Sequence, residues 1–349
     1  MTDSTQNENH SEPPRTWTTT DGEMLEARWD NSDESHPEMA PFRTRRWRWT
    51  AVILATLCVL YCFVQPLVLR VQSACQQAIA VKLQKDTAPN GETRMARTVD
   101  GVEYAFRWCP PGTFKMGSPW LETGRNCYEY RHSVTLTMGF WMLETEVTQA
   151  MWQSVMGETI QQKDQQENRE PCLHGEGPNY PMYYVSWDDC QVFCERLSDK
   201  IGMKISLPTE AQWEYACRAG TTTPFHFGCS LNGDKANCNG TRPYGTLRKG
   251  PQLGNTAPVR SYAPNAWGLY DMHGNVWEWC LDRLGDWGYS GCDETDPLNT
   301  TGWLRVHRGG SWLCSTEDCR SARQGGNSDD KRESDIGFRV ITMDSSYRW

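Results

Sequence analysis

Residues 50–69, TAVILATLCVLYCFVQPLVL, form an almost unbroken apolar run, and that run constrains everything else in this chain of 349 residues. About 20 residues at roughly 1.5 Å of helical rise each span the roughly 30 Å of hydrocarbon in a bilayer. Arg43, Arg45, Arg46 and Arg48 lie just before the run, with Trp47 and Trp49 at the interface position, and Arg70 is the one nearby charge after it. The asymmetry predicts a single-pass anchor, with the N-terminus cytoplasmic and the C-terminal domain extracytoplasmic. A cleaved signal is the alternative, because Ala78-Ile79-Ala80 resembles a cleavage site, but the lead before the run is far too long for a normal n-region. Residues 1–49 then read as a disordered cytoplasmic tail and 50–69 as the transmembrane anchor. Residues 70–98 read as a stalk that Pro89-Asn90-Gly91 would end, 99–343 as one folded domain, and 344–349 as a C-terminal tail.

Composition narrows what the domain can be. The chain carries 17 Trp, 29 Gly, 19 Pro and 15 Cys, a mix that favours a loop-rich fold with aromatic anchors over a helical bundle or a βαβ array. Its net charge of -9, with no basic stripe, argues against nucleic acid as a partner. The cysteines are too sparse for a pure disulfide scaffold and too many for an ordinary cytosolic protein, which suits an oxidising compartment.

Three helices follow from their caps. Thr148 opens one carrying Met151, Trp152, Val155 and Met156, stopped by Gly157. Ser186 with Asp189 opens a second, with Cys190, Phe193, Cys194, Leu197 and Ile201 on its apolar side and Gly202 as its stop. Thr209 with Gln212 forms the capping box of a third, ending at Gly220. Cys190 and Cys194, at i and i+4 in an apolar stripe, read as core. The remainder reads as short strands and long loops, with no 20 to 50 residue repeat. No Walker loop, no Gly-x-Ser-x-Gly elbow and no repeated Cys-x2-Cys zinc pattern is present.

The stretch His307-Arg308-Gly309-Gly310-Ser311-Trp312-Leu313-Cys314, running on to Cys319, carries the chemistry. Two cysteines behind a Gly-Gly turn suit a soft-metal thiolate pair or half of a structural disulfide. The blocks Trp108 to Ser118, Glu144 to Thr148, Val185 to Asp189, Leu207 to Gly220, Asn265 to Trp279 and Arg308 to Trp312 together resemble the formylglycine-generating enzyme, or sulfatase-modifying factor, family. The resemblance covers about residues 101–342 in the family's order. It implies an α+β domain with a C-type-lectin-like core and little regular secondary structure. It also implies calcium for structure and, in the active enzymes, copper for the oxidation of a sulfatase cysteine to formylglycine by dioxygen.

By that resemblance Cys314 and Cys319 stand as the copper cysteines and Ser311 as a catalytic serine beside them. Trp277 would line the substrate groove. Asp271 and Glu278, by carboxylate, and Gly274 and Val276, by carbonyl, would hold calcium, the hard-oxygen set that ion requires. A second calcium site would draw on Asn237 and Cys238, but its companion loop, Lys249 to Leu253, supplies no carboxylate. Cys319 also begins Cys-Arg-Ser-Ala-Arg, which resembles the family's disulfide cysteine, whose partner would be Cys217. In that register the second copper cysteine is missing, and both alternatives remain open at this point. The seven histidines form no His-x3-His-x-Glu cluster, so the iron site of the ergothioneine relatives is excluded. Two functions follow: a membrane-anchored formylglycine-generating domain acting on a sulfatase polypeptide, or a non-catalytic, calcium-braced lectin-like module holding a protein or glycan at the cell surface.

Overall fold

The structure is a computed structural model that describes residues 17–18, 24–25, 88, 91–165, 172–285 and 292–343. The anchor expected at 50–69 lies outside the described residues, and among those described no helix is long and apolar enough to cross a membrane. Strands β1 (Trp17–Thr18) and β2 (Met24–Leu25) form a small antiparallel pair of their own.

The remaining elements follow in chain order. Strands β3 (Arg94–Val99), β4 (Val102–Cys109), β5 (Gly112–Met116), β6 (His132–Leu136) and β7 (Phe140–Leu143) come first. Helices α1 (Gln149–Met156), α2 (Ile160–Gln165) and α3 (Trp187–Ile201), strand β8 (Ile205–Ser206) and helix α4 (Glu210–Arg218) succeed them. After a long irregular stretch come β9 (Trp277–Leu284), β10 (Glu294–Thr295), β11 (Leu304–Arg308), β12 (Gln324–Asn327), β13 (Ile336–Gly337) and β14 (Ile341–Met343). They form sheets ordered β3-β4-β7-β14-β8, β12-β11-β9-β13 and β10-β6-β5. The α+β class that the resemblance implies and the loop-rich character expected from composition are both observed.

The helix caps behave as their residue types dictate. Thr148, Ser186 and Thr209 each accept the backbone N–H three residues on, which satisfies a donor the first turn leaves orphaned. Gly157 and Gly202 close α1 and α3 in the left-handed region, where the absence of a Cβ removes the steric cost. Helix α4 ends earlier than expected. Ala219 takes the left-handed cap and bonds to Tyr215 O, so Gly220 falls beyond the cap. Helix α2 was not expected, although Thr159 and Gln162 exchange the reciprocal bonds of a capping box.

The core joins these pieces through aromatic side chains. Trp152 of α1 stacks on Phe193 of α3 at 5.6 Å, and Phe338 meets both edge-on. Cys190 and Cys194 lie in the same core, as the stripe required. Buried ion pairs tie loops to elements: Arg308 to Glu210 and Glu214, Arg320 to Glu122 and Glu129, and Arg339 to Glu278. In a fold with this little regular structure, they satisfy polar groups that neither helix nor sheet would.

Candidate functional site

Strand β9 presents Trp277 and Glu278, pairing Glu278 with Arg308 of β11 and Trp277 with Ile336 of β13. The chain leaves β11 through Gly309 and Gly310, whose φ angles are 100° and 76°. That turn lets Trp312 N bond to Asn275 O at 2.9 Å and brings Cys314 N to Ser311 O at 3.1 Å. Ser311, Cys314 and Trp277 therefore meet at one place. Ser311 Oγ donates to Asp335 Oδ2 at 2.7 Å and lies 3.2 Å from Cys314 Sγ. The one hydroxyl proton of Ser311 thus has two acceptors within reach, Asp335 Oδ2 and Cys314 Sγ, and donation to the sulfur favours the thiolate. Burial pushes the Cys314 thiol up to about 11, opposed by its bonds to Ser311 and Trp277 and reinforced by Asp335 and Asp318. Burial likewise raises the Asp335 carboxyl, with Ser311 opposing.

A prediction follows for this thiol. Asp335→Asn removes an anion that disfavours the thiolate, so the pH profile of Cys314 alkylation should move to lower pH by about one unit. Following peptide-resolved iodoacetamide labelling from pH 7 to 10 reads this directly. An unmoved profile would mean that Asp335 does not act on the sulfur.

Asp335 immediately precedes Ile336-Gly337-Phe338-Arg339, and nothing in the local sequence singled it out. At the edge of the same site His174 stacks on Trp312, ring centroids 4.7 Å apart, and Cys172 Sγ lies 3.4 Å from His174 Nε2. Leu313, beside the half-buried Cys314, is exposed.

Cys319 sits differently. It is buried directly against Gly310, and bonds to Ser315 O at 3.7 Å and to the Cys238 side chain. Cys217 faces elsewhere: its sulfur lies 3.6 Å from both Met272 O and Ser321 Oγ and packs against the ring of His273. Every cysteine among the described residues is a free thiol, so Cys217 and Cys319 are not joined here. Cys314 and Cys319 are close enough for the charge of one to raise the other's pKa. Two free thiols suit a soft copper(I) ion in kind. Among the described residues no group of three or more His, Cys, Asp or Glu is poised around a metal position.

The oxygen cluster is built on the segment that leads into β9. Asp271, at φ 56°, accepts Arg260 N at 2.7 Å, and Gly274 approaches Asn237 O too closely for any side chain. Glu278 is engaged on both oxygens, by Arg339 at 2.6 and 2.7 Å and by Trp213 Nε1 at 2.7 Å. It therefore does not fit as a free calcium carboxylate. Glu146, which the sequence left unassigned, is fully buried nearby. Its pKa is pushed well up by burial and then by Asp271 and Glu278. Glu146 Oε2 and Asn237 Oδ1 are buried acceptors without a hydrogen-bond partner among the described residues. Burial also raises Asp271 to about 6. Three carboxyls thus share the Arg339 guanidinium.

Fold and site together define a class, an α+β domain whose cysteine is presented on an Arg-Gly-Gly-Ser turn and braced by buried arginine–glutamate pairs. The chain belongs to the sulfatase-modifying factor enzyme 1-like domain family, whose profile matches residues 97–343. It is similar to the formylglycine-generating enzyme of Streptomyces coelicolor, 38% identical over 171 residues that cover 46% of this chain and 52% of that protein. It is also similar to the inactive C-alpha-formylglycine-generating enzyme 2 of Bos taurus, 29% identical over 186 residues covering 50% and 55%. The chain spans about half the length of these curated relatives. Among solved structures, Treponema denticola variable protein 1 superposes with a TM-score of 0.59 at 26% identity, over 72% of this chain and 99% of that one.

Proposed function

We propose that this domain converts a cysteine of a sulfatase polypeptide into formylglycine, using Cys314 and Cys319 to hold copper(I). The observation that carries the reading is the separation of Cys217 from Cys319. Cys217 faces Ser321, so Cys319 remains a free thiol five positions beyond Cys314. Copper, when bound, would supply the dioxygen chemistry. One oxygen atom ends in the aldehyde, the other in water, and the substrate sulfur leaves as hydrogen sulfide. Two electrons and two protons come from a thiol reductant.

The chain's own residues do the rest. Ser311 holds its hydroxyl against the Cys314 sulfur and favours the thiolate there, and Asp335 fixes that hydroxyl's position. Trp277 and Trp312 wall the site, and the exposed Leu313 offers an apolar contact for an extended peptide. Calcium belongs to the same proposal as a structural brace, with Asp271 and the Gly274 and Val276 carbonyls joined by Glu146 in place of Glu278, whose oxygens Arg339 and Trp213 occupy. The apolar run at 50–69 with its arginine flank supports an extracytoplasmic position behind a single span.

The test is a peptide carrying a sulfatase cysteine segment, incubated with copper, dioxygen and a thiol and read by mass spectrometry for the aldehyde. The expected result is turnover by the wild type and a loss of at least about 100-fold in both Cys314→Ala and Cys319→Ala. Absence of aldehyde and of stoichiometric copper(I) uptake would sink the reading. It would leave the second one, a non-catalytic, calcium-braced module that binds a protein or glycan, which the turning of Cys319 toward Cys238 favours.

A further inference from the structure

Cys238 is a thiol that the oxidation reaction does not call for, and it lies against Cys319. Cys238 is 1% exposed and Cys319 fully buried, and both lie in one small cluster with Phe225, Leu231, Ala236 and Tyr244. The backbone holds them there. Asn239 forms a parallel bridge with Ser315, and Asn239 N bonds to Cys314 O at 2.9 Å, so the Cys238 segment runs alongside the Cys314 turn. The two side chains hydrogen-bond to each other, and that bond, ahead of burial, holds the Cys319 thiol well up. Their other bonds are weak, from Cys238 Sγ to Ala236 O and from Cys319 Sγ to Ser315 O, each at 3.7 Å. Gly310 closes the opposite side of Cys319.

We propose that Cys238 and Cys319 are a redox pair, oxidised to a disulfide that ties the irregular segment between α4 and β9 to the turn beneath Gly310 and withdraws Cys319 from Cys314. The disulfide stands on the packing alone; its effect on copper rests on the function proposed above. The oxidant is a small-molecule or protein disulfide. Two S–H bonds and the donor's S–S bond break, one protein S–S bond forms, and the two protons and two electrons leave on the donor as two thiols. Both sulfurs are shielded from water, so exchange belongs to the folding chain or to transient opening of this segment. The segment has almost no regular structure of its own, and a cross-link closing about 80 residues removes conformational entropy from the unfolded chain.

The experiment uses the full chain in detergent, equilibrated with oxidised glutathione or with a phosphine reductant, alkylated, and mapped by non-reducing peptide mass spectrometry. The expected result is a linked Cys238–Cys319 peptide in the oxidised sample only, absent from Cys238→Ser. In parallel, copper(I) affinity should fall at least about 10-fold on oxidation of the wild type and not of Cys238→Ser, which leaves Cys314 and Cys319 in place. A Cys319 link to Cys314 or to Cys217, or full alkylation of both Cys238 and Cys319 after unfolding of the oxidised sample, overturns the proposal. A Cys238–Cys319 link in a protein that takes up no copper even when reduced upholds the redox pair and overturns the oxidase reading. If the link forms and copper affinity is unchanged, the withdrawal of Cys319 is overturned.

Discussion

Arg339→Met is expected to lower stability by about 4 kcal/mol, on the order of 10 °C in Tm for a domain of this size. Arg339 is fully buried and makes no contact with solvent that could compensate. Its guanidinium donates to both Glu278 oxygens and to the carbonyls of Leu143, Glu144 and Tyr270. Removal leaves Glu278, Glu146 and Asp271 as buried carboxyls without their shared cation. The pH dependence has a definite sign. Carboxyls whose folded pKa is raised favour the folded state when protonated, so their contribution is full below the unfolded value near 4 and is lost as pH rises through the folded value. Asp271 already sits at about 6. Arg339→Met raises Asp271 and Glu146 further, so the variant should regain much of its loss between pH 7 and 5. Glu278→Gln in the same chain should restore part of the stability at pH 7, because Gln keeps an acceptor for Trp213. Thermal melts across that range check this, and a deficit that does not shrink on acidification would show that lost carbonyl contacts, not stranded charge, dominate.

Gly310→Ala is the second large effect, expected at about 3 kcal/mol with the Cys314 site disordered alongside. A Cβ at Gly310 would stand 2.6 Å from Cys319 Sγ, 2.9 Å from Cys319 Cα and 3.1 Å from Asp318 O, and two of those three atoms are backbone that cannot swing aside. Gly157 is the control, since its φ of 77° matches the 76° of Gly310 but nothing lies within 4 Å of its Cβ position. Gly157→Ala should therefore show the left-handed penalty alone, about 1 kcal/mol. Equal losses at the two positions in urea titrations would mean that the close approach to Cys319 carries no weight.

Much of the architecture was legible. The capping residues at Thr148, Ser186 and Thr209 marked their helices because a side-chain oxygen three residues before a free N–H is a local requirement. The end of α4 was misplaced by the same logic, since Ala219 adopted a conformation that sequence assigns to the glycine after it. Helix α2 passed unread because six residues, IQQKDQ, show no apolar stripe, although its capping box was present. At the site, Ser311 and Cys314 could be placed from the Arg-Gly-Gly-Ser block, whereas Asp335, His174 and Glu146 could not. Each of these reaches its partner across more than a hundred residues or around a loop whose course no local pattern records.

The sequence by itself determined the family, the Gly-Gly turn and the helix starts, because each depends on residues a few positions apart. Which thiol faces which was decided only by the tertiary structure. Cys319 reads as a copper ligand or as a disulfide partner in sequence. It meets Cys238 because the Asn239 to Ser315 bridge aligns their segments, while Ser321 takes the place opposite Cys217. Glu278 likewise reads as a calcium carboxylate until strand β9 delivers it to Arg339, where a buried guanidinium binds it more closely than solvent or an open cation site would leave it.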